Sequence, residues 1–133
     1  HIYGTGLSGL LSASTFWLNS AGGDDSLVIH SATPFFGVFK VASGTLVLKN
    51  FNALKNTRIQ LLGGGLSLDV GVKIGHLAGG LNTATVNILN GNLLKLGDYG
   101  GNQVFSGVFT GSGHLFYNNT NLTDSWTLTG ASP

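Results

Sequence analysis

Apolar residues in this chain recur at alternate positions in short runs, and glycine and asparagine separate the runs. Leu46 and Leu48 are two apart, as are Leu66 and Leu68, and Val104, Ser106 and Val108 keep the same step. A period of two places one set of side chains on a single sheet face. Leu, Val, Ile, Thr and Phe fill the runs, which suits a pleated, half-buried surface. Strands are predicted at 26–30, 35–41, 45–49, 58–62, 66–70, 72–74, 84–89, 93–96, 104–109, 114–117 and 126–129. Turns are predicted at 21–25, 42–44, 63–65, 79–82, 90–92, 97–102, 111–113 and 118–124, where Gly and Asn reach positive φ at little cost. Prolines, which would interrupt a ladder, occur only at Pro34 and Pro133.

The phrase itself repeats. "GTLVLK" at Gly44–Lys49, "GGLSLDV" at Gly64–Val70, "GNLLKL" at Gly91–Leu96 and "SGVFTGSGHLFY" at Ser106–Tyr117 share one glycine-then-alternation theme. Leu10, Leu27, Leu46, Leu66, Leu93 and Leu115 align across the copies, with spacings of 17, 19, 20, 27 and 22 residues. A recurrence of this length points to units that bury their apolar faces only against their neighbours. The predicted fold is therefore all-β: a right-handed parallel β-helix of about five or six rungs. An antiparallel sandwich of short strands would show similar local alternation. The 133 residues suit one domain, with repeats over 26–132 and a cap or first rung over 1–25. Residues 7–20 read either as a short capping helix, with Phe16 and Trp17 sealing the core, or as one more rung.

Composition sharpens this picture mainly by exclusion. Charged residues make up only 8% of the chain, against about 25% in ordinary domains, and there is no Glu. The surface must be covered by Gly, Ser, Thr and Asn. A net charge of +1 is too small for a basic footprint on nucleic acid or an anionic membrane. So little charge repels other copies weakly, which favours self-association. The absence of Cys excludes disulfides, thiolate metal sites and cysteine nucleophiles. Residues 1–23 are too rich in Gly, Ser and Thr for a membrane span, and no segment is predicted to insert. With no Met, and His1 in first place, the chain reads as a processed protein or an excised fragment.

"IGHLAGG" (Ile74–Gly80), "ATVNILNGNLLKLGDYGGNQVFSGVFTGSGHL" (Ala84–Leu115) and "SWTLTGAS" (Ser125–Ser132) resemble the autotransporter-associated β-strand repeat. The resemblance is good over about 64–132 and weaker over 26–63. "FSGVFTGSGHL" is its most specific part. At 116–124, "FYNNTNLTD" stands where that family has a short "KTGAGT", so a longer loop is expected there. The resemblance implies a parallel β-helical stalk of a secreted bacterial surface protein, with no catalytic residues to transfer.

Candidate chemistry is sparse. Gly4, Gly6 and Gly9 with Asp24 imitate a dinucleotide fingerprint, but only three residues precede them, too few for the strand that motif needs. Asp24 and Asp25 beside Gly22–Gly23 could offer oxygens to Ca²⁺, though the calcium-binding nonapeptide does not repeat; a solvated turn is the simpler reading. Asp69, Asp98 and Asp124 are remote from one another in sequence, so carboxylate pairing would depend on stacking. His1, His30, His76 and His114 lack metal-ligand spacing. Phe105 and Phe109 are expected on one face of one strand. Tyr99 and Tyr117 read as turn or edge packing or as a sugar-stacking patch. Asn118 and Asn121 each begin an N-x-[ST] acceptor motif. No catalytic, cofactor or metal residues are assigned.

The expected function is structural: an extracellular β-solenoid protomer or stalk fragment that stacks end to end into a filament, with itself as partner. The alternative is an adhesin that binds surface glycans through loops at 97–103 and 116–124. A polysaccharide-degrading β-helix would need a charged cleft, which five Asp, no Glu and one Arg do not favour.

Overall fold

The structure is a computed structural model that describes residues 15–19, 25–32, 37–79, 84–96, 103–117 and 126–128. It is an all-β parallel solenoid. Among the described residues there are fourteen strands and no helix. The first are β1 (Thr15–Leu18), β2 (Ser26–Ile29), β3 (Val38–Val41), β4 (Thr45–Leu48) and β5 (Arg58–Leu61). Then follow β6 (Gly65–Leu68), β7 (Val72–Lys73), β8 (His76–Gly79), β9 (Thr85–Ile88) and β10 (Leu93–Leu96). The last are β11 (Gln103–Phe105), β12 (Val108–Gly111), β13 (His114–Tyr117) and β14 (Trp126–Leu128).

Successive strands belong to different sheets, so the chain winds around a common lumen. One face is a six-stranded sheet, β1-β3-β5-β8-β11-β14; the second is five-stranded, β2-β4-β6-β9-β12; the third is three-stranded, β7-β10-β13. All eleven described pairings are parallel, which excludes the antiparallel sandwich. Neighbouring rungs are about 4.8 Å apart in such ladders.

Alternation becomes burial in a simple way. On the five-stranded face Leu27, Leu46, Leu66, Val86 and Phe109 align in one inward row, and Ile29, Leu48, Leu68 and Ile88 in the next. On the six-stranded face Phe16, Phe39, Ile59 and Leu77 form another row. Most of these side chains are inaccessible to water. Each fully buried leucine, isoleucine or phenylalanine stabilises the fold by about 1.5–3 kcal/mol. Phe16 stacks on Phe39 with ring centroids 4.7 Å apart.

The leucine alignment needs correction beyond Leu66. The row through Leu27, Leu46 and Leu66 continues to Val86 and Phe109. Leu93 pairs with His114 on the third sheet and is 40% exposed, and Leu115 aligns with Leu94. Following leucines alone leaves the row here, because its next members are a valine, 20 residues after Leu66, and a phenylalanine. Leu10 lies outside the described residues. Where the second rung has no third-sheet strand, residues 51–56 form a turn closed by the Asn50 side chain accepting from Asn52 N–H at 2.9 Å. Ala53 and Leu54 fill the lumen from it, and Phe51 O accepts from Lys73 N–H at 2.9 Å, covering one edge of β7.

Three further differences follow from local geometry. Thr15–Leu18 is a strand paired with β3, so this part of 7–20 is a rung and not a helix; residues 7–14 and 20 lie outside the described set. His76–Gly79 is a strand although no alternation marks it: His76, Leu77 and Ala78 are all buried. The predicted strand 104–109 is two strands on different sheets, split at Ser106–Gly107. A Cβ on Gly107 would sit 2.5 Å from the Phe105 ring and 2.6 Å from Ala84 O, so only glycine makes this corner.

Candidate functional site

The corners between the six-stranded and five-stranded faces vary in length, and that variation shapes the surface. In two consecutive rungs three residues turn the corner: 42–44 between β3 and β4, and 62–64 between β5 and β6. These short corners stack directly. Gly65 N–H donates to Gly44 O at 2.9 Å, and Thr85 N–H donates to Gly64 O at 3.2 Å. A Cβ on Gly64 would lie 2.5 Å from Gly44 O and 2.6 Å from the Val41 side chain, and one on Gly63 would lie 2.8 Å from Ala42 O. Glycine is therefore required at 63 and 64 by close approach of one rung to the next.

Beside these corners lies a groove of about 310 Å³, bordered by residues 43–45 of one rung, 63–65 of the next and Thr85 of a third. None of its described lining residues is charged. Its wall comes from an outward row of the five-stranded face, in which Ser26, Thr45, Gly65 and Thr85 occupy successive rungs. Gly65 breaks the row of hydroxyls and opens the groove. Ser43 Oγ, at the rim, donates to Asn19 Oδ1 at 3.0 Å.

Among the described residues, those singled out by sequence do not converge. Asp69 pairs with Lys49 at 3.3 Å across adjacent rungs, with both side chains more than a third exposed. Such an exposed pair contributes little to stability. Asp25 is exposed just before β2, and its carbonyl accepts from Thr45 N–H at 2.9 Å. His30, His76 and His114 lie on separate parts of the solenoid: after β2, in β8 and in β13. His76 is 2% exposed, and its Nδ1 lies 2.9 Å from Leu77 N–H and 3.3 Å from Leu77 O. Among the described residues no three His, Cys, Asp or Glu side chains group as metal ligands.

Gly4, Gly6, Gly9, Asp24, Asp98, Tyr99, Asn118, Asn121, Asp124 and His1 fall outside the described residues. So do most of the two loops expected to bind glycan, of which Gln103, Phe116 and Tyr117 belong to strands. Two exposed aromatic rings have an ammonium group nearby. Trp17, 53% exposed, carries the Lys40 ammonium 4.9 Å from its ring centre, and Phe116, 48% exposed, has Lys95 at 5.8 Å.

Sequence reasoning read 63–65 only as a turn and missed the groove. The available signal was the triple glycine at 63–65: two glycines meet the needs of the corner, and the third lies within β6. The chain matches no family model, no curated protein and no solved structure.

Proposed function

We propose that this chain is a structural solenoid of a secreted bacterial surface protein, and that it associates with its own copies end to end. The supporting observation is the in-register parallel ladder on three faces, with like residues in its rows: Leu46 over Leu66, Leu48 over Leu68, Val41 over Leu61. A ladder of this kind presents the same backbone donors and acceptors at every rung, so another copy can continue it as a cross-β stack. The low charge of the chain leaves little repulsion to oppose such contact. The resemblance to the autotransporter-associated repeat supplies the extracellular setting. The role is mechanical: backbone hydrogen bonds run along the axis, and the stacked apolar rows resist bending.

Sedimentation across a concentration series, with electron microscopy of the most concentrated sample, tests this. Rods or fibres of the solenoid's width that lengthen with concentration are expected. A monomer at every concentration, without fibres, would overturn the reading.

A further inference from the structure

We propose that the groove between the stacked corners at 42–44 and 62–64 binds the uncharged sugar units of a polysaccharide that lies along the solenoid axis. The argument begins with Gly65. Unlike Gly63 and Gly64, it has no backbone reason to be glycine. A Cβ there would meet nothing nearer than Thr85 O at 3.5 Å, with Thr45 Oγ1 at 3.7 Å, both ordinary contacts. Its φ lies outside the left-handed range. Glycine inside a strand weakens it, and where the fold does not demand it the position often marks close approach of a ligand.

The chemistry of the groove selects the ligand class. Thr45 and Thr85 flank Gly65 in the same outward row, and neither hydroxyl has a hydrogen-bond partner among the described residues. Each hydroxyl can both donate and accept, as sugar hydroxyls do. An anionic or cationic ligand would lose hydration and meet no opposite charge from the described lining residues, none of which is charged. An apolar ligand would bury the threonine hydroxyls unpaired. The groove crosses three rungs, roughly 10 Å along the axis, long enough for about two sugar rings end to end.

The test is an amide NMR titration of the full chain with cellotetraose and chitotetraose as neutral probes and tetragalacturonate as the charged one. Shifts confined to Gly44, Gly63, Gly64, Gly65 and Thr85 are expected with at least one neutral probe, with a Kd of about 1 mM as suits a small open site. Gly65→Val fills the groove with a strand-favouring side chain and should weaken binding at least about tenfold at unchanged Tm. Thr45→Val with Thr85→Val keeps the shape and removes both hydroxyls, and should weaken binding likewise even if Gly65→Val fails to fold. No response at these amides to either neutral probe would overturn the proposal. So would an equal response to tetragalacturonate, or unchanged binding in the threonine double variant.

Discussion

Phe105 and Phe109 pack edge to face in the lumen, with ring centroids 5.3 Å apart, although they belong to different sheets. Phe105 aligns with Gly79 of the preceding rung, which contributes no side chain to that inward row. Phe105 is fully buried in this row. Phe105→Ala is therefore expected to cost about 3–5 kcal/mol, the range for removing a buried aromatic side chain. Phe109→Ala should cost less, because Phe109 is 9% exposed and Phe105 is fully buried. Urea unfolding of both variants measures the order; equal losses would contradict this account of the packing.

Gly64 and Gly65 are neighbours in sequence and opposites in tolerance. Gly64→Ala forces a methyl against Gly44 O and the Val41 side chain, and should destabilise by about 1–3 kcal/mol through overpacking. Gly65→Ala meets only ordinary contacts, and should be neutral or stabilise by up to about 1 kcal/mol by reducing the freedom of the unfolded chain. Thermal unfolding of the pair reads the difference directly.

The turn at Asn90–Gly91 separates backbone strain from packing. Asn90 has φ 57° and Gly91 φ 69°, Asn92 N–H donates to Leu89 O at 3.0 Å, and nothing lies within 4 Å of a Cβ built on Gly91. Gly91→Ala should thus lose about 1–2 kcal/mol from the left-handed backbone alone. Asn90→Gly should change stability by only a few tenths of that, since glycine also accepts this conformation. A clear loss in Asn90→Gly would show that the asparagine side chain, not its backbone, holds the turn.

Lys49 and Asp69 should matter little. Their side chains are 43% and 36% exposed at a contact of 3.3 Å. Asp69→Asn is expected to lower stability by less than about 1 kcal/mol, and by less again in 1 M salt. A larger, salt-independent loss in denaturant titrations would mean that Asp69 shapes the corner through hydrogen bonds and not through charge.

The alternation in 45–48, 65–68, 85–88 and 93–96 was readable from sequence because each strand has one buried face, and period two is the only spacing that serves it. The β8 strand was not readable, because His76 and Ala78 are buried although they alternate with inward Leu77. The Leu27–Leu46–Leu66 row was legible while the rungs kept 19- and 20-residue spacings. It was lost at the next rung, where Val86 takes the place of a leucine at the same 20-residue spacing, and then Phe109 follows.

The chain's own residues determine that it forms short strands, turns at glycine and asparagine, and stacks in repeats, because these follow from period-two burial and from access to positive φ. They also determine that its surface carries little charge. Tertiary structure alone decides which strands share a sheet, that Phe105 and Phe109 meet around a corner, and that 42–44 and 62–64 stack. It alone distinguishes the glycines that the backbone requires from Gly65, because close approach between rungs is a property of register and not of any one rung's sequence.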